Sequence, residues 1–202
     1  MMRKTLFHLH TSFTDGKLSV TEYFNFAKKN GIDKLIFLEH IRREPTYDVK
    51  AFIESVTLAS RKFGVEGIVG FEAKILPSGE LDIAEEHINS AKFIGIAEHG
   101  FTGSVDLLVT AFELVLQRYP TQYPDKQFVW VHPGLWFKRR GRLKDAGYHY
   151  MVEKAKHYFI WIEQNLRYGL PENLTMLRNY KPVLIGIDAH SLGDLERSLS
   201  IL

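Results

Sequence analysis

Leu6-Phe7-His8-Leu9-His10-Thr11-Ser12-Phe13-Thr14-Asp15-Gly16 is the stretch from which the fold and the site are read. Two histidines end a short apolar run, and an aspartate and a glycine follow five and six residues later. Side chains at i and i+2 of a β-strand share a face, so His8 and His10 present two imidazoles together. Thr14-Asp15-Gly16 reads as a turn that carries a carboxylate back over the strand end. Taken alone, the pair is equally a polar strand face or part of a metal site.

The next elements follow in strict alternation. Ser19-Val20-Thr21-Glu22 is a capping box that opens a helix ending before Gly31. Lys34 to Leu38 is a second strand, closed by Glu39-His40. A helix carries Val49, Phe52, Ile53, Val56 and Ala59 at helical spacing and stops at Gly64. Gly67 to Phe71 is a third strand, closed by Glu72, and Lys74 to Ile83 alternates around Pro77-Ser78-Gly79 as a β-hairpin. Phe93 to Ala97 is the fourth strand, closed by Glu98-His99, and Val105 to Tyr119 is a helix that Pro120 ends. Phe128 to Val131 is the fifth strand, closed by His132-Pro133-Gly134. Helix Tyr148 to His157 and a sixth strand, Tyr158 to Ile162, are followed by Glu163. A short helix over Glu172 to Asn179, a seventh strand over Val183 to Ile187 and a last helix from Asp194 complete the chain.

Apolar strands that alternate with amphipathic helices are the mark of a parallel sheet covered on both faces. Seven units in 202 residues predict one domain over 1–202, a compact distorted (β/α)7 barrel. An open doubly wound sheet is the alternative, though no glycine-rich phosphate loop follows any strand. Cysteine is absent, so any metal must be held by nitrogen and oxygen. The net charge of +2, from 26 basic and 24 acidic residues, lacks the excess of a general nucleic-acid surface. No apolar run reaches the roughly 18 residues of a membrane span, and the N-terminus lacks a signal segment, so the expected location is cytoplasmic. Oligomeric state is not set by the sequence.

Six of the nine histidines close predicted strands: His8, His10, His40, His99, His132 and His190. Glu72, Glu163 and Asp188 do the same. In a barrel those ends form one mouth, where active sites are built. The sorting favours metal binding over scattered polar positions. Asp188 and His190 repeat the i, i+2 spacing on the last strand, which closure brings beside the first. Glu72 could bridge two ions, His99 and His132 complete a second site, and Asp15, His40 and His190 a third. Imidazole with carboxylate suits Zn, Mn or Fe without choosing among them. His87, His149 and His157 lie in predicted helices and read as surface or core.

With its His8-Leu9-His10-Thr11, Thr14-Asp15-Gly16, Glu39-His40, Gly70-Phe71-Glu72, Glu98-His99-Gly100, His132-Pro133-Gly134 and Gly186-Ile187-Asp188-Ala189-His190, the chain resembles the polymerase and histidinol phosphatase (PHP) family. The resemblance implies a trinuclear centre of divalent ions held by His8, His10, Asp15, His40, Glu72, His99, His132, Asp188 and His190. Two departures stand out: Glu39-His40 where the family usually has Asp-His, and Glu98 beside His99 as a competing ligand. Glu163 is expected to act mainly through hydrogen bonds.

Three divalent ions outweigh three carboxylates, so phosphate oxygens are the natural guests. The expected function is phosphomonoester hydrolysis of a small metabolite, with hydroxide formed at the metals attacking phosphorus. Glu72, Asp188 and His190 are the candidate catalytic residues. Arg42, Arg43, Arg139 and Arg140 are the candidate phosphate-binding residues, the last two within the basic loop Lys138 to Lys144. A nuclease or phosphodiesterase, supported by that loop, and a non-catalytic metal-binding module are the alternatives.

Overall fold

The computed structural model describes residues 4–200. Nine strands and seven helices alternate along them. β1 (Thr5–Leu9), β2 (Lys34–Phe37), β3 (Glu39–His40), β4 (Glu66–Ile68), β5 (Gly70–Lys74), β6 (Phe93–Ala97), β7 (Gln127–Trp130), β8 (Trp161–Asn165) and β9 (Val183–Gly186) make two parallel sheets. One has the order β1-β2-β4 and the other β3-β5-β6-β7-β8-β9. The second and third predicted strands are each interrupted by one residue, Leu38 and Val69, where pairing passes from one sheet to the other.

Closure joins the two ends of the chain. Ile187 N–H donates to Phe7 O (3.1 Å), Ala189 N–H to His8 O (3.0 Å) and His10 N–H to Ala189 O (3.0 Å). The Tyr23 hydroxyl lies within hydrogen-bond distance of His10 O and Ala189 O, clamping the seam from outside. Seven strand positions therefore circle the axis, as a (β/α)7 barrel requires.

α1 (Val20–Lys29) begins at the predicted box: Glu22 N–H donates to Ser19 Oγ, and Ser19 N–H to Glu22 Oε2. Its buried stripe, Val20, Tyr23, Phe24 and Ala27, follows the helical period and packs on the barrel. α2 (Val49–Phe63) starts at Asp48 and ends at Gly64, which takes the left-handed conformation of a C-terminal stop. α3 (Glu85–Ser90), α4 (Val105–Gln122), α5 (Leu135–Lys138), α6 (Ala146–His157) and α7 (Leu192–Ser198) complete the outer layer. None of the helices among the described residues is long and apolar enough to cross a membrane.

Two apolar clusters result. The larger lies between helices and barrel wall. The smaller, Phe7, Ile36, Leu38, Ala97, Val129 and Val131, fills the barrel below the histidines and keeps that floor dry.

Several boundaries differ from expectation. α4 runs through Pro120 to Gln122, because a proline in the last turn removes only one N–H, and buried Tyr119 and Tyr123 hold the end. Tyr158-Phe159-Ile160 is not strand but the stop of α6. Ile160 N–H donates back to Ala155 O, and Phe159 sits at φ 54°. The helix expected over 172–179 is a single 3₁₀ turn, Leu174–Leu177. The hairpin after Glu72 is one antiparallel bridge, Ile75 with Leu81, flanked by Leu76 N–H to Glu80 O. α5 was not foreseen.

Candidate metal centre

Along the middle strands, alternation delivers the site. Phe71 and Ala73 of β5 join the outer core, which leaves Glu72 and Lys74 on the axis side. On β6, Ile94 and Ile96 face outward while Phe93 and Ala97 face the floor cluster, so the next inward position is His99. Glu98 points the other way. It accepts hydrogen bonds from Trp130 Nε1 (2.9 Å) and Gly134 N–H (2.8 Å), holding the start of α5.

At two places alternation is broken. His8 has φ 71° and lies in a bulge where the β1–β2 register shifts, so that Phe7 and His8 both face inward. His132 has φ 32° and follows the inward Val131 directly. Left-handed backbone at a residue other than glycine is strained by about 1–3 kcal/mol and persists only where the surroundings impose it. Here it lets His8 face inward beside Phe7, and turns inward a His132 that alternation from Val131 would send out.

Glu72 is the hub. Its Oε2 lies 3.0 Å from His8 Nε2 and 3.6 Å from His10 Nε2. Its Oε1 lies 3.4 Å from His132 Nε2, 3.5 Å from His40 Nδ1 and 3.8 Å from His99 Nδ1. Asp188 Oδ1 is 3.5 Å from His10 Nε2 and 3.4 Å from His190 Nδ1. Asp15 spans His40 Nε2 (3.4 Å) and His190 Nε2 (3.3 Å). The nine residues named from the sequence thus converge. Among the described residues, three overlapping groups have donor atoms close enough to share an ion: His8-Glu72-His132, His8-His10-Asp188, and His10-Asp15-His40-His190. His99 stands outside these groups but meets the His132 ring edge-on at 4.7 Å.

Supporting contacts orient the donors. His8 Nδ1 lies 2.6 Å from Glu163 Oε1, and Glu163 Oε2 accepts from Asn165 Nδ2 (3.1 Å) and His132 N–H. Glu39 accepts from Thr11 N–H (2.9 Å) and from the hydroxyls of Thr11 and Thr14, so it clamps the loop that carries Asp15. Lys17 N–H donates to His190 O (2.7 Å) and ties the same loop to the last strand. Arg167, from the turn after β8, places Nη1 2.9 Å from Asp188 O and 2.6 Å from His190 Nδ1. Nothing in the sequence pattern marks Arg167; the pairing of β8 with β9 brings it here.

Burial and charge pull the titrating groups apart. Burial pulls the His8 pKa down, but Glu163 and Asp188 outweigh it and hold it well above 6.5. Burial opposes Glu72 and Asp15 in the same way at His40, and opposes Glu72 at His132; both end raised. His10, buried between positive neighbours, falls to about 3, and burial beside His132 takes His99 to about 4. Burial would raise Glu72, yet His132 and His40 hold it well below the usual carboxylate range.

The donor set fits divalent ions. Buried polar atoms without hydrogen-bond partners are rare. Five of the six such atoms among the described residues lie here: His10 Nδ1 and Nε2, Glu72 Oε1, His99 Nδ1 and His132 Nδ1. Buried imidazoles and carboxylates clustered with unused lone pairs are what a borderline metal binds.

The PHP domain family model matches residues 7–200. The chain belongs to the PHP domain family. The fold is similar to that of hisK from Listeria monocytogenes, assigned as a histidinol phosphatase, with a TM-score of 0.71 at 13% identity over 98% of this chain and 99% of that one. It is also similar to an amidohydrolase II (TM-score 0.58, 12% identity, 98% and 90% covered). A third likeness is orotidine 5′-monophosphate decarboxylase from Methanocaldococcus jannaschii (TM-score 0.53, 18% identity, 98% and 85% covered). No curated protein matches the sequence. At these identities the likenesses concern the fold alone.

A cavity of about 480 Å³ opens beside the PHP centre. Asp15, His40 and His99 line it, with Arg42 and Lys74 among them and Phe13 and Tyr47 as a wall. Of the four arginines named from the sequence, only Arg42 lines it. Arg43 is drawn off by Glu80 (2.7 Å). Arg140 lies over the Trp136 ring at 4.0 Å. Arg139 is exposed at the edge, and its charge reaches His99. Lys138 and Arg142 of the same loop pair with Glu172 (3.2 Å) and Asp145 (2.6 Å). Lys74 was missed as a site residue, although period two from Glu72 marks its side.

Proposed function

We propose that this PHP barrel is a single-domain, metal-dependent phosphatase that hydrolyses the phosphate monoester of a small molecule. The observation that carries the reading is a cluster of unpaired imidazole and carboxylate atoms beside a small cavity that Asp15, His40, His99 and Arg42 line. His8, His10, Glu72, Asp188, His99 and His132 would hold two ions, and Asp15, His40 and His190 a third. Zn, Mn and Fe all suit these donors. When bound, such ions neutralise charge on phosphoryl oxygens and lower the pKa of water to about 7.

The chain's own residues do the rest. Glu72 keeps His8, His40 and His132 turned to one point through its two oxygens. Asp188 holds His10 and His190 across the seam. His190 has Nε2 turned to Asp15 and Nδ1 to Arg167, an arrangement that suits a ligand better than a free proton donor. Arg42 offers its guanidinium to a phosphate oxygen, shared with Asp82 at 3.5 Å. A cavity of about 480 Å³ accepts a metabolite more readily than a strand of nucleic acid. The basic loop that would favour a nuclease spends Lys138, Arg140 and Arg142 on partners outside that cavity.

The test is a panel of monoesters and diesters given to metal-quantified protein with Mn, Zn and Fe supplied in turn. Monoester turnover that tracks metal content, and is lost with the metal in His132→Ala, supports the reading. Failure on every ester in every metal form moves the chain to the non-catalytic module, and a His132→Ala protein that loses metal but keeps full turnover removes the metal mechanism.

A further inference from the structure

Lys74 sits one inward position beyond Glu72 on β5, on the cavity side, with His99 and Arg42 as neighbours. Its half-buried side chain runs over Gly100, where a Cβ would fall 3.1 Å from Nζ. The φ of Gly100 is not one that only glycine adopts, so the absence of a side chain there serves the room that Lys74 occupies.

The cation has no ion-pair partner among the described residues. The acids around it are taken: Glu72 faces five histidines, Asp82 is shared by the Arg42 guanidinium and Arg43 N–H, and Glu80 holds Arg43 and Arg118. Glu72 and Asp82 attract Lys74 only at longer range, and Arg42 repels it. Arg42 has Asp82 beside it but Lys74 has no such partner of its own among the described residues, so the cleft holds one cation left to attract an anion, and a doubly charged anion between the two offsets their mutual repulsion. Lysine binds phosphate as a point charge, so it rewards total charge more than bidentate shape.

We propose that Lys74 is a specificity-determining residue: its ammonium binds the second negative charge of a terminal phosphate and so selects monoesters over diesters. The proposal rests on the phosphoesterase reading for the word ester, but its anion-binding content stands without turnover. A diester carries one charge and a second substituent, and leaves either Lys74 or Arg42 unmatched.

The test measures the affinity of metal-quantified holoprotein for inorganic phosphate, held at a pH where it is a dianion, and for dimethyl phosphate, by calorimetry. Lys74→Met is expected to weaken inorganic phosphate by about tenfold or more and dimethyl phosphate by far less, with metal content unchanged. Lys74→Arg is expected to restore most of the phosphate affinity. Equal effects on both anions, no effect, loss of metal in Lys74→Met, or no phosphate binding by the unaltered protein would each overturn the proposal. A protein that turns over no ester yet shows the Lys74-dependent preference removes the phosphatase reading and leaves this one standing.

Discussion

Glu163 Oε1 lies 2.6 Å from His8 Nδ1, and that contact decides which nitrogen of His8 faces the centre. A carboxylate accepts and does not donate, so Nδ1 carries the proton and Nε2 is turned to Glu72. The arrangement has the form by which an outer carboxylate fixes the tautomer of a ligand histidine.

Glu163→Gln keeps the shape but presents an amide. Its N–H₂ could donate to His8 Nδ1 and move the ring proton to Nε2. Metal affinity is expected to fall by about 10–100-fold with secondary structure unchanged, measured by chelator competition and circular dichroism. An unchanged affinity would remove Glu163 from the supporting shell.

Gly186 on β9 provides the room for that carboxylate. A Cβ there would fall 1.6 Å from Glu163 Oε1, far inside contact. Gly186→Ala is therefore expected to push Glu163 off His8 and lower metal affinity much as Glu163→Gln does. The two changes combined should cost little more than either alone, since they break one contact. Full additivity in the same chelator titration would show two separate effects.

Glu39 holds Asp15 at one remove. Thr11 and Thr14 donate to its buried carboxylate, and the loop between them and Gly16 carries Asp15 over His40 and His190. Glu39→Ala leaves those donors without their acceptor and should destabilise the protein by about 1–3 kcal/mol. Metal stoichiometry should drop by the Asp15-His40-His190 ion while the ions at Glu72 remain. Melting curves and metal analysis together check it; loss of every ion would show that the loop organises the whole centre.

pH acts in opposite directions on the metal-free and metal-loaded protein. His8, His40 and His132 are raised above 6.5 in the folded chain. Their contribution to metal-free stability is fully present below pH 6.5 and is lost as pH rises through the raised values. Metal must displace those protons, so its affinity climbs over the same range and binding releases protons. His10 and His99, at about 3 and 4, oppose this only below pH 6.5. Above that pH, melting temperature should fall in chelator and rise with metal; parallel trends would sink the assignment.

How far the sequence reached is clearest on β6. Phe93, Ala97 and His99 obey one alternation with Gly95 between them, and that rule alone separates His99 from Glu98. Lys74 was legible by the same rule from Glu72. The expected sixth strand began three residues early, at Tyr158 rather than Trp161, because an apolar run fits a helix stop as well as a strand, and the left-handed Phe159 is decided by the Ile160 to Ala155 hydrogen bond.

By itself, the sequence determined the seven-fold alternation of strand and helix and the sorting of histidines to strand ends, because both are local patterns of polarity. Only the tertiary structure decided the rest. Closure of β1 on β9 sets His8 and His10 against Asp188, and the β8–β9 pairing brings in Arg167 from a loop without a motif. The bulge at His8 lets Phe7 and His8 face inward together, and the left-handed His132 turns inward an imidazole that period two from Val131 sends out. Strain of that kind is held by contacts distant in the chain, Glu163 above all, and a local pattern carries no trace of them.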